Sequence, residues 1–296
     1  MSTASAVPPA PGPIEPRSWW TRARRHRATP VKYVGLILLA VIILTPVYVL
    51  IVTSVKGVAE TDPSHAWSLP SLWTLDAWRD AWDQLSPNLA NSFKLAIPAT
   101  LISIVLGSLN GFVLSKWRFP GADIVFTFFL FGMFIPYQAV MIPLTQLFED
   151  VHFPAGIPRL VFAHIVYGIP ITALIFRSYY ATIPEELMEA ARMDRAGMLR
   201  TYWSVILPLS APVLAVVGLL GYIATINEFI IASVLLDSTN KYPMSVGLYG
   251  FIQDKYAQQW GTFCAGVVLA AIPVVVLFFF LQRFIAEGLT RGAVKG

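Results

Sequence analysis

Six long apolar runs, separated by short polar connections, constrain this chain more than anything else in it. They lie near residues 33–54, 89–115, 122–148, 158–180, 207–236 and 260–282. Each is long enough to cross a hydrocarbon core about 30 Å thick. Hydrophobic residues make up 56% of the 296, charged residues only 13%, and the mean hydropathy is +0.64. A soluble globule of this length needs more polar surface than that. The expected fold is an all-α integral membrane protein with six transmembrane helices. Prolines at 46, 98, 136, 143, 170, 208, 212 and 273 fit membrane helices, where neighbouring groups re-satisfy freed carbonyls.

The scarce charges set the topology. Fifteen of the 21 Lys and Arg residues fall before the first run, between the second and third, at or after the end of the fourth, and after the sixth. The other six are Lys56, Arg79, Lys94, Arg159, Lys241 and Lys255. By the positive-inside bias both termini are expected in the cytoplasm. Residues 1–32 read as a basic, Pro-rich cytoplasmic tail, 33–282 as the membrane domain, and 283–296 as a cytoplasmic C-terminal tail. The run after Lys32 is longer than a signal-peptide core and has no small-residue cleavage pattern behind it. The net charge of +4 is scattered over loops and offers no continuous basic face, so no nucleic-acid partner is expected. Cys264 stands alone, which excludes an intrachain disulfide.

Two connections carry more than charge. In the outside loop, about 55–88, Leu75, Trp78, Trp82 and Leu85 recur at helical spacing. They predict a short helix lying at the membrane surface or against the bundle; the same face also suits an external partner. The inside segment 181–206 is the longest and most polar cytoplasmic connection. Pro184, Glu185 and Glu186 favour a helix start, and Thr182 is a candidate cap. Leu187, Ala190 and Ala191 are expected to share a face. A second short helix is expected over 199–205, before Pro208 opens the fifth run.

That segment also carries a resemblance. Glu189-Ala190-Ala191, Asp194 and then Val205-Ile206-Leu207-Pro208 resemble the cytoplasmic loop of permease subunits of binding-protein-dependent ABC importers. The likeness extends over nearly the whole chain and is greatest to the MalG-like branch, which moves maltose and other carbohydrates. Asn227-Glu228-Phe229 and the ending Gly288-Leu289-Thr290-Arg291-Gly292-Ala293-Val294-Lys295-Gly296 resemble stretches of that branch. The resemblance implies a type I ABC importer permease fold, of the MetI/MalG-like kind, in a bacterial or archaeal cytoplasmic membrane. It implies half of a translocation pathway, completed by a second homologous permease, with an extracytoplasmic sugar-binding protein and two copies of a cytoplasmic ATPase. ATP and Mg are then expected on the ATPase, with no cofactor on this chain. An importer of another solute, such as a glycerophosphodiester, is the alternative within the family; a secondary transporter is the alternative outside it.

The coupling residues implied are Glu189, Ala190, Ala191, Asp194, Gly197, Leu207 and Pro208. Read without the resemblance, the segment is an ordinary amphipathic surface helix on lipid headgroups. The family's usual glycine after the aspartate is Arg195 here, and Gly197 is the expected substitute hinge. Polar residues in the apolar runs are pathway candidates: Tyr222, Asn227 and Glu228 in the fifth, Tyr137 and Gln138 beside Pro136 in the third. Each set also reads as helix–helix contacts or a kink. Gly107 and Gly111, four apart, predict close helix packing. No P-loop, no G-x-S-x-G elbow and no metal-binding His spacing occurs, so neither catalysis nor a metal is expected.

Overall fold

The computed structural model describes residues 19–117, 119–253 and 259–293. The tail over 1–18, Arg118, Lys255 and the last three residues lie outside the described residues. The chain divides into two compact units, Met1–Val49 and Leu50–Gly296.

The described part of the first unit, from Trp19, is helical throughout. α1 (Trp19–Ser54) begins inside the expected basic tail, so residues 19–32 are helical. Its apolar side chains, among them Leu36, Ile37, Leu38, Leu39, Ile42 and Ile43, are exposed around the whole circumference. An all-round apolar helix belongs in lipid or against another membrane helix; its 23 residues Lys32–Ser54 suffice to span.

The second unit is built on α2 (Asp76–Phe112), extended by a π-helical stretch, Val113–Trp117. The expected surface helix is not separate: it forms the first turns of α2. At 1.5 Å per residue the 37 residues reach about 55 Å, well beyond a bilayer core. The face that packs is Ala77, Ala81 and Leu85, while Leu75 and Trp82 are exposed. Small side chains win because α12 (Trp260–Ala293) lies close there: Ala265 and Leu269 pack on Ala77 and Ala81, and a Cβ on Gly261 would stand 3.4 Å from that of Ala77.

The third run is broken. α3 (Ala122–Phe134) and α4 (Tyr137–Asp150) meet at 98° across Ile135 and Pro136. Proline cannot donate, and it pushes the preceding residue to extended backbone; Ile135 has φ −74° and ψ 115°. α5 (Ile157–Ala181) is an unbroken span and the main partner of α2. The expected glycine packing is present between them. A Cβ on Gly107 would collide with the Thr172 side chain, and one on Gly111 would lie 2.8 Å from the Arg177 amide.

The fifth run also departs from expectation. A polar arm, α6 (Glu186–Met193) and α7 (Met198–Thr201), leads through π-helical Tyr202–Ile206 to α8 (Leu207–Leu209). At Ser210 the path turns by 81° into α9 (Ala211–Ile226). α9 ends ten residues earlier than the apolar pattern implied, and α10 (Ile230–Leu235) follows. α11 (Met244–Gln253) precedes α12, which continues to Ala293, through most of the expected C-terminal tail. Among the described residues, four helices are long and apolar enough to cross a membrane, or up to six if each bent pair is one span. The chain is a multi-pass, all-helical membrane protein.

Polar clamps fix the loops opposite α6. Asn88 and Asn91 donate to the Tyr242 carbonyl at 2.9 and 3.3 Å, Asn91 also to Asn240 at 2.8 Å, and the Met244 amide donates to Ser92 at 2.7 Å. Asn91 therefore has a structural role. Buried Arg159 bonds Glu149 and the Phe153 carbonyl, closing the loop between α4 and α5. Lys56 is 1% exposed and donates to the His65 carbonyl, holding the loop from 55 to 75 against its base.

Candidate functional site

The arm 182–206 is polar and largely exposed over residues 184–195. α6 starts behind Pro184 with Glu186 and Glu189 in its first turn, where carboxylates oppose the helix dipole. Its buried face is not the expected one. Met188 and Ala191 are buried; Leu187 and Ala190, expected beside Ala191, are exposed. Met188 wins because it reaches a core of Phe112, Phe176, Tyr180 and Tyr202. The outward face presents Glu189, Ala190 and Met193, the last 85% exposed. Arg192 pairs with Glu185 at 3.5 Å, which leaves Glu189 outside that ion pair.

The turn after α6 corrects the hinge expectation. Arg195 itself takes the left-handed conformation, φ +51°, while Gly197 is extended at φ −70° and ψ 168°. The Arg195 amide donates to Arg192 at 2.9 Å, and the Ala196 amide to Ala191 at 2.9 Å. Those two bonds are a Schellman closure, with Arg195 where glycine is preferred. Asp194, exposed, is the C-cap and donates its amide to Ala190. Gly197 caps α7 and accepts from the Thr201 amide at 2.9 Å. Leu207 packs half-buried on the same core, and Pro208 sits in the first turn of α8. Sequence reasoning missed Lys116, whose Nζ donates to the Ile183 carbonyl at 2.6 Å and lies 3.5 Å from Glu185. Its position at the end of the second apolar run was legible; its reach across to residue 183 was not.

The pathway candidates do not form one surface. Tyr222 is buried against Ala96 and Ile226. Its hydroxyl has no hydrogen-bond partner among the described residues. Asn227 and Glu228 lie beyond α9 rather than within a span. Asn227 is exposed and turns its amide back to the Ile223 carbonyl at 3.0 Å. Glu228 accepts from the Ile231 and Ala232 amides at 2.7 and 3.1 Å, satisfying the free N–H groups that open α10. Tyr137 packs edge-on to Tyr167 at 6.2 Å, and Gln138 is exposed.

A cavity of about 200 Å³ lies between α2, α5 and α9. Thr100, Ser103, His164, Tyr167, Thr172 and Thr225 give it a polar lining. His164 Nε2 is 3.9 Å from the Glu228 carboxylate. Single hydroxyls within three different apolar runs signalled it only weakly. A wider groove, about 910 Å³ and almost wholly apolar, runs along α2, α9 and α12, with Phe93, Leu101, Tyr222, Val276 and Phe280 in its lining.

Residues 99–291 match the family of binding-protein-dependent transport system inner membrane components. The maltodextrin transport system permease protein MdxG of Bacillus subtilis is 33% identical over 269 residues, covering 89% of this chain and 95% of that one. The melibiose/raffinose/stachyose import permease protein MelC of the same organism is 31% identical, covering 85% and 91%. The diacetylchitobiose uptake system permease protein NgcG of Streptomyces coelicolor is 25% identical, covering 91% and 90%. Among solved structures, a bacterial ABC transporter involved in import of the acidic polysaccharide alginate superposes with a TM-score of 0.76 at 23% identity. That superposition covers 92% of this chain and 99% of that one. With the family match running from α2 into α12 and the relatives aligned nearly end to end, the chain belongs to the inner membrane components of binding-protein-dependent transport systems.

Proposed function

We propose that this chain is the permease subunit of an ATP-driven oligosaccharide importer, and that α6 is its contact with a cytoplasmic ATPase. The observation that carries the proposal is α6 itself. It stands in the polar connection over 181–206, bears the Glu189-Ala190-Ala191 sequence, turns Glu189, Ala190 and Met193 outward, and anchors Met188 inward. Small exposed residues allow close approach of a partner surface, and Glu189 offers a carboxylate to a basic group there. The work is mechanical: closure of an ATPase pair shifts α6, and packed helices transmit the shift to the spans.

The carbohydrate reading follows the relatives, whose names specify maltodextrin, melibiose and diacetylchitobiose. ATP and Mg belong to the ATPase in this reading, and this chain binds neither. A second permease covers the apolar groove along α2, α9 and α12, whose lining suits another membrane helix or lipid chains. A binding protein delivers solute to the face opposite α6. Both termini lie in the cytoplasm, as the basic residues imply. Against a secondary transporter stands Glu228, whose carboxylate is engaged in capping α10.

The test is uptake. The full complex in proteoliposomes, supplied with its binding protein, is expected to accumulate labelled maltodextrin or a related oligosaccharide only with ATP inside. Accumulation driven by an ion gradient without ATP would overturn the reading.

A further inference from the structure

Three hydroxyls meet where the cytoplasmic arm joins the bundle. Ser108 Oγ, on α2, lies 2.5 Å from the hydroxyl of Tyr180 in the last turn of α5. It also accepts from the hydroxyl of Tyr202 at 2.9 Å. Ser108 and Tyr180 are fully buried, and Tyr202 is 1% exposed. Tyr180 stands just before the arm and Tyr202 just after its short helices, so both ends are tied to one serine on a third helix. Phe112, one turn beyond Ser108, packs on both tyrosines, with ring centroids 6.3 and 5.6 Å away. Met188 enters the same core from α6. Lys116 adds a tie outside that core, to the carbonyl of Ile183.

A projecting arm held only by its covalent ends can swing about them. A push on α6 would then be absorbed by rotation in residues 182–185 and 194–201. Buried hydrogen bonds oppose such loosening, since parting them leaves polar atoms unpaired in an apolar core. We infer that Ser108, Tyr180 and Tyr202 are positioning residues that lock both ends of the arm to α2, so that displacement of α6 reaches the cytoplasmic ends of α2 and α5 as movement of one body. The inference rests on α6 being the ATPase contact.

Spin labels at Trp117→Cys, at the end of α2, and Met193→Cys, on the outward face of α6, measure this directly in the assembled complex after Cys264→Ser. The pair distance is expected to stay the same within about 1–2 Å between the nucleotide-free and ATP–vanadate-trapped states. In Tyr202→Phe, which deletes one hydroxyl, the narrow distribution is expected to be lost on trapping, with less uptake of labelled maltodextrin per ATP hydrolysed. Tyr180→Phe is expected to do the same, and the double variant to be little worse than either single, since the hydroxyls act as one unit. A large distance change in the parent complex, or variants that keep both the narrow distribution and the parent uptake per ATP, would overturn the inference. Failure of the ATPase reading shows differently: the Met193→Cys label would keep its mobility when ATPase is added.

Discussion

The Ala196 amide donates to the Ala191 carbonyl at 2.9 Å, and Arg195 between them is left-handed at φ +51°. A side chain there costs about 1–2 kcal/mol that glycine avoids, less the entropy glycine loses on folding, about 0.5–1 kcal/mol. Arg195→Gly is therefore expected to stabilise the arm by about 0.5–1 kcal/mol, and Arg195→Val, β-branched, to destabilise it. Thermal unfolding of the detergent-solubilised complex reads both. A lower melting temperature for Arg195→Gly would show that the guanidinium makes a compensating contact in the complex.

Gly107→Ala is expected to destabilise the α2–α5 contact by about 1–3 kcal/mol, because the new methyl meets Thr172 and the Ala173 amide. Gly218→Ala is the control: its Cβ would lie 3.5 Å from Ile104 Cδ1, an ordinary contact. Denaturation in mixed micelles should separate the two. Equal stability of the two variants would contradict the packing described.

Glu228→Ala is expected to cost about 0.5–2 kcal/mol through loss of the cap on α10. Glu228→Gln keeps an acceptor for one of the two amides and is expected to retain most uptake. An acid that carries an ion or proton would not survive that change. Abolished uptake in a folded Glu228→Gln complex would assign the carboxylate a role in transport.

The loop from 55 to 75 holds a pH prediction. Asp62 accepts from the Ser64 hydroxyl and amide and from His65, and these bonds, the Ser64 hydroxyl foremost, lower its pKa from 3.8 to about 2. A depressed carboxyl stabilises its loop above the unfolded value, and the contribution is lost as pH falls through the folded one. Ser64 amide exchange, corrected for intrinsic rate, should show full protection down to about pH 4 and lose it toward pH 2. Loss of protection between pH 6 and pH 4 would contradict the assignment.

The spans were legible because apolar length is a one-dimensional property. The EAA-bearing arm was legible because its polarity stands out between apolar runs. What composition hid is geometry between elements. Ala77 and Ala81 took the packed face of α2 from Leu75 and Trp82, with Trp78 half-buried beside them, because small residues admit α12 closely, which no single-helix pattern reports. Asn227-Glu228-Phe229 read as part of a span because apolar residues flank it on both sides, yet Glu228 bonds the amides that begin a new helix. Arg195 was misjudged because left-handed backbone was assigned by residue type alone. The ties from Lys116 to residue 183 and from Ser108 to Tyr180 and Tyr202 join positions 67 to 94 residues apart, and nothing local in the sequence connects them.

In the proposed function an ATPase covers the outward face of α6. Met193, 85% exposed, reports on it directly, because the native Cys264 is buried. In Met193→Cys, the rate of thiol alkylation should fall sharply when the chain is assembled with its ATPase, and cysteines placed on the ATPase should cross-link to it. Alkylation at the same rate in the complete, transport-active complex as in the isolated permease would mean that no ATPase covers α6.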